Sequence, residues 1–61
     1  MWKNLDKASK LADIRPVPED IIEKIRAIAD KTPDPIEKAL VENLKLMFVM
    51  YQREHGSFEG Y

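Results

Sequence analysis

Cysteine is missing from the chain, and histidine occurs once, at His55. The first absence excludes a disulfide framework. Together they leave no Cys/His set that could hold a structural zinc. A cysteine-free chain fits a reducing compartment. Long apolar runs are also missing. The longest, Leu46 to Tyr51, falls far short of the ~20 residues that span a bilayer. Met1 is followed by Lys3, Asp6, Lys7 and Lys10, without the apolar stretch of a secretory signal. Both glycines, Gly56 and Gly60, lie at the far end, so there is no glycine-rich loop to cradle a phosphate. These absences predict a cytoplasmic protein with no membrane segment, cofactor or metal.

What is present is charge and aliphatic carbon. The chain has 61 residues and a net charge of −1, which makes one domain at most. At this size apolar burial and the entropy of ordering nearly cancel, and small chains usually add a disulfide, a metal or a partner subunit. Composition removes the first two, leaving close helix packing or association. Charge is unevenly spread. Residues 1–17 carry Lys3, Lys7, Lys10 and Arg15 against Asp6 and Asp13, and residues 18–61 carry six basic against nine acidic side chains.

Prolines divide the chain. Pro16 and Pro18 flank Val17, and Pro33 and Pro35 flank Asp34; each removes a backbone donor and disfavours helix in the residue before it. Three helices are predicted. The first runs from Leu5 to about Ala12, with Asn4 as N-cap and a thin stripe of Leu5, Ala8 and Ala12. The second runs from Pro18 to about Asp30, with Pro18 in the first turn and Ile21, Ile22, Ile25, Ile28 and Ala29 at helical spacing. The third runs from Pro35 to about His55, started by Asp34 with Glu37 three residues on, a capping-box pattern, and ended by Gly56. Residues 56–61 read as a tail, with Phe58 folding back and Tyr61 fraying. The connection from Lys31 to Asp34 is short enough to require an antiparallel hairpin.

The third helix is the informative one. On a wheel of about 100° per residue, Ile36, Leu40, Leu44, Met47 and Tyr51 cluster on one face. Val41 and Phe48 widen it on one side, and Ala39, Leu46 and Met50 on the other. The apolar arc reaches about 220°, about twice what a helix packed on one side needs. Two modest neighbours leave part of it open, in either the Leu46–Met50 or the Val41–Phe48 sector, and open apolar patches mark interaction sites. The contact set read from the sequence is Leu40, Val41, Leu44, Leu46, Met47, Phe48, Met50 and Tyr51.

Catalytic chemistry needs a positioned acid, base or nucleophile in a concave site. His55 sits in a helix C-terminal turn, where a cation is favourable, and Ser9, Thr32 and Ser57 have no base nearby in sequence. No enzyme is expected. A helix-turn-helix reading fails because the first turn of the third helix, Asp34 to Glu37, is acidic and apolar where a recognition helix offers basic groups. Lys3, Lys7 and Lys10 form a one-sided row that could meet phosphates or an acidic partner. The expectation is therefore an all-α protein, a short N-terminal helix followed by an antiparallel helical hairpin, assembled as a dimeric helical bundle. It acts as a non-enzymatic regulator or adaptor that self-associates, as a homodimer or higher oligomer, or binds another protein through the third helix. The alternative is a dimeric DNA-binding transcriptional regulator using the helix 1 lysines.

Overall fold

Three α-helices make up the computed structural model, which describes residues 2–61: α1 (Lys3–Ala12), α2 (Ile21–Asp30) and α3 (Pro35–His55). There is no strand among the described residues. Among the described residues no helix is long and apolar enough to cross a membrane.

α3 keeps the bounds read from the sequence because both ends are chemically marked. Asp34 Oδ1 accepts from the N–H groups of Ile36 and Glu37 at 2.8 and 3.1 Å. Pro35 fills the first helical position, where a missing N–H leaves nothing unsatisfied. Gly56 closes the helix at φ 76°, a left-handed conformation that side chains resist. Its N–H returns to the Gln52 carbonyl.

α2 begins at Ile21, three residues later than its proline suggests. The Ile21 N–H donates to the Pro18 carbonyl at 3.2 Å, closing a turn over Glu19 and Asp20. Val17 packs against the core and Ile21 is wholly inside it. The chain must turn between them, and the turn takes the residues that a longer helix would have used. From Ile21 onward the expected stripe faces inward: Ile21, Ile25 and Ala29 are buried, and Ile22 and Ile28 half-buried.

Asn4 does not cap α1. The helix starts at Lys3, behind Trp2, with no side-chain cap of its own. Its open N–H groups are served from α3. Glu37 Oε2 accepts from the N–H groups of both Asn4 and Leu5 at 3.0 Å. The capping box is thus only half made: Asp34 caps α3, while Glu37 reaches across to α1. Asn4 Nδ2 donates to Thr32 Oγ1 at 3.0 Å, and the Thr32 hydroxyl donates to the Ile28 carbonyl at 2.7 Å. Glu37 is 7% exposed and Thr32 5%. This polar node joins the start of α1, the end of α2 and the start of α3.

Ala8, Ile21, Ile25, Ala29, Val41 and Phe48 are the buried apolar core. The tail completes it, and Tyr61 does not fray. Its ring stacks on Phe48 with centroids 5.1 Å apart and lies 4.3 Å from Tyr51. Phe58 folds back edge-on to Phe48 at 5.8 Å. Arg15 holds the arrangement from outside: its guanidinium carbon lies 5.2 Å from the Tyr61 ring centroid, and Nε donates to the Tyr61 carbonyl at 3.1 Å. Nη1 of the same residue serves the Ala12 and Ile14 carbonyls at the end of α1. α1 is too thin to cover the Phe48 and Tyr51 rings, and the tail aromatics return to do so.

Candidate interaction surface

α3 turns a different seam inward from the one at the centre of its apolar arc. Glu37, Val41 and Phe48 are buried, and Leu44 and Tyr51 half-buried between them. The spacing of these five is four, three, four and three residues, which keeps them in one line along the helix. Ile36 and Met47, from the centre of the arc, are exposed. Two forces favour the rotated seam. Phe48 has the largest apolar side chain on the helix, and burial scales with area. Glu37, on the same line, finds two amide donors only when that line faces α1.

Val41 and Phe48 therefore belong to the chain's own interior, at 0% and 2% exposure, and cannot serve as outward contacts. Leu44 packs against the same core. The Tyr51 hydroxyl donates to the Glu59 carbonyl at 2.9 Å, tying that side chain to the tail. Of the eight residues singled out from the sequence, Leu46, Met47 and Met50 stand outward and Leu40 is half-buried at their border.

The open face holds Ile36 at 62% exposure, Leu46 at 49%, Met47 at 55% and Met50 at 53%, with Ala39 and Asn43 exposed among them. Together with Leu40 these residues occupy an arc of about 120° on α3. The buried seam lies beside it, and Lys38, Glu42, Lys45, Gln52 and Arg53, with the half-buried Val49 among them, hold the remainder of the circumference. No charged side chain falls inside the stripe between Ile36 and Met50. Its length is about 21 Å, fourteen steps of ~1.5 Å.

Other features are weaker. A hollow of ≈ 390 Å³ is lined by Trp2, Lys3, Leu5, Asp6 and Ser9. Another of ≈ 340 Å³ lies between Arg15, Pro16, Val17 and the tail from Phe58 to Tyr61. His55 lines neither; its ring lies 4.2 Å from that of Tyr51, and Nε2 is 3.9 Å from Glu54. Lys3, Lys7 and Lys10 are all exposed, and none forms an ion pair among the described residues.

Glu37, Asn4, Thr32 and Arg15 are structural determinants that sequence reasoning passed over. A signal for Glu37 existed: a carboxylate in line with Val41, Leu44 and Phe48 needs donors from elsewhere in the fold, since buried charges demand partners. Nothing in the spacing of Arg15 or Thr32 points to their roles. No family model, curated protein or solved structure matches this chain.

Proposed function

We propose that this chain is a small non-enzymatic interaction module, a regulator or adaptor that works by self-association through the open face of α3. The observation that carries the reading is the uncharged stripe with four large apolar side chains about half exposed. The extent of surface supports it as well. The accessible area is 4531 Å², against about 4,100 Å² expected for a folded monomer of this mass. In this reading the short connection between Asp30 and Pro35 returns α3 along α2 as an antiparallel hairpin. Two hairpins then close into a four-helix bundle with two-fold symmetry.

Magnitudes set the strength. Burying the exposed halves of four such side chains contributes roughly 3–6 kcal/mol per subunit. Association costs about 4 kcal/mol or more in lost freedom. The two subunits together leave about 2–8 kcal/mol, and the upper part of that range, above about 4 kcal/mol, corresponds to dissociation constants from about millimolar to micromolar. The dimer is thus reversible over an accessible concentration range, as suits a regulated contact.

Mass in solution between about 1 μM and 1 mM tests this, by sedimentation equilibrium. Average mass is expected to rise towards twice the chain mass, and the melting temperature to rise with protein concentration, because only the folded state associates. Met47→Glu places a charge in the stripe and is expected to weaken association at least tenfold while leaving the dilute melting temperature unchanged. A monomer mass across the whole range, with a concentration-independent melt, removes the reading. Phe48→Glu is not a substitute for this variant, because it charges the interior and unfolds the subunit.

A further inference from the structure

Residues 56–61 form a small unit of their own after α3. The Tyr61 N–H donates to the Phe58 carbonyl at 3.1 Å, and the Glu59 N–H to Ser57 Oγ at 3.3 Å. Gly56 and Gly60, the chain's two glycines, stand near its two ends with φ of 76° and 82°. Side-chain contacts hold the unit down: the Phe58 and Tyr61 rings lie against Phe48, and Tyr51 and Arg15 donate to its carbonyls. Along its other edge the tail is undercut. Hollows of ≈ 340, ≈ 280 and ≈ 260 Å³ lie between it and Pro16, Val17 or Glu19. Glu19 and Glu59 line the last of these, and like charges there favour opening. We infer that residues 57–61 are a strap bound in cis to an aromatic seat made by Phe48, Tyr51 and Arg15. The strap opens on Gly56 while the three helices stay folded, and the seat recognises a peptide with two aromatic rings three residues apart.

Recognition divides between rings and backbone. Phe48 meets one ring edge-on and the other stacked, at 5.8 and 5.1 Å, which sets their spacing. The Arg15 guanidinium lies over the Tyr61 ring, a cation–π contact. Tyr51 Oη and Arg15 Nε donate to the carbonyls of Glu59 and Tyr61 at 2.9 and 3.1 Å. Any sequence supplies such carbonyls, so these bonds hold a peptide backbone and the rings supply the selectivity. Ser57, Glu59 and Gly60 stay exposed and are not read.

Opening without unfolding follows from where the helices are joined. Glu37 ties α3 to the start of α1, and Ile21, Ile25 and Ala29 bury the inner face of α2; the strap makes none of these contacts. Closing it freezes the backbone of a short segment, an entropic cost on the scale of the few ring contacts and hydrogen bonds it gains. Closed and open forms therefore lie near in free energy, as for other locally opening segments. The strap does not depend on self-association, since seat and strap belong to one chain.

The test uses the full chain. Stacking on Phe48 gives the Tyr61 ring protons a ring-current shift in the closed form, which NMR reads separately from helical ellipticity. In a urea titration the Tyr61 shift is expected to reach its free-peptide value before ellipticity falls. Tyr51→Phe removes one hydrogen bond to the strap, and is expected to raise the open-to-closed ratio about threefold to tenfold with the ellipticity in water unchanged. Arg15→Met, which also frees the Ala12 and Ile14 carbonyls, is expected to raise it at least about tenfold. Phe58→Ser/Tyr61→Ser strips the strap of its rings and leaves the seat open. A synthetic peptide of residues 55–61 at about 1 mM, the effective concentration a short tether provides, is expected to shift the Phe48 ring signals of this variant and raise its melting temperature. A peptide of the same composition with its Phe and Tyr adjacent does neither. Loss of helical ellipticity in the double variant, or coincident midpoints for the Tyr61 shift and ellipticity in the unsubstituted chain, overturns the strap. An equal response to the two peptides, or none to either, overturns recognition by ring spacing.

Discussion

Phe48→Ala is expected to lower the unfolding free energy by about 3–5 kcal/mol, the usual range for deleting a buried phenyl ring. At roughly 0.05–0.15 kcal/mol per residue, a chain this short has only about 3–9 kcal/mol in total. The variant therefore loses about a third or more of the whole stability. The size of the effect follows from the position of the ring. Phe48 is 2% exposed, and it supports Phe58 edge-on and Tyr61 face-on. Removing it leaves a cavity and also detaches the tail, and with the tail goes the Arg15 clamp on the end of α1. Helical circular dichroism across a urea titration measures the change. Met47→Ala, one residue away on the outward face, is the control and is expected to stay within about 0.5 kcal/mol, as for other surface substitutions. Equal effects from the two would mean that the inward seam does not run through Phe48.

Glu37→Ala is expected to cost about 3 kcal/mol, for a different reason. Hydrogen bonds to a charged group are worth about 1.5–3 kcal/mol each, and Glu37 Oε2 accepts two, from the N–H groups of Asn4 and Leu5. α1 has little else to hold it. Its ten residues fall below the ~12–15 at which an isolated helix is even marginal in water. Only Ala8 is fully buried, with Leu5, Leu11 and Ala12 packed partly against the core. The polar anchor thus weighs as much as the apolar contact of the helix. Glu37→Gln keeps an acceptor but loses the charge, and is expected to recover about half of the loss. Amide hydrogen exchange separates this from a general loss of stability: Asn4 and Leu5 should accelerate about a hundredfold, with Ile25 and Val41 less affected. A uniform acceleration at all four amides would show that Glu37 supports the whole fold and not the start of α1.

Several elements could be read from the residues, and each has a physical reason. α3 is bracketed by Asp34, Pro35 and Gly56, which mark its ends without help from the rest of the fold, so its bounds agree with expectation. The inward stripe of α2 follows from four isoleucines and an alanine at helical spacing. Surplus apolar surface on α3 could also be read, since periodicity measures the width of an arc. Which part of that arc turns inward could not. The choice depends on what α1, α2 and the tail bring to it, namely the two amides that receive Glu37 and the rings that meet Phe48. Both depend on residues more than thirty positions apart or on a tail with no periodicity. Asn4 illustrates the same limit. Its type suits an N-cap, but a carboxylate from a distant helix serves the amides, and Asn4 turns its side chain to Thr32. Ser, Thr and Asn choose among nearby partners, and local sequence does not say which partner the fold will supply.

The position of Trp2 gives the anchor an optical reporter. The chain has a single tryptophan; it directly precedes α1, and its carbonyl accepts from the Asp6 N–H at 3.0 Å in the first turn. The residue is 39% exposed, so its emission is sensitive both to release into water and to further covering. Far-ultraviolet ellipticity, by contrast, is dominated by the 21 residues of α3. Fluorescence and ellipticity therefore view different halves of the molecule, and their midpoints coincide only if the N-terminal helix lets go at the same moment as the long rod melts.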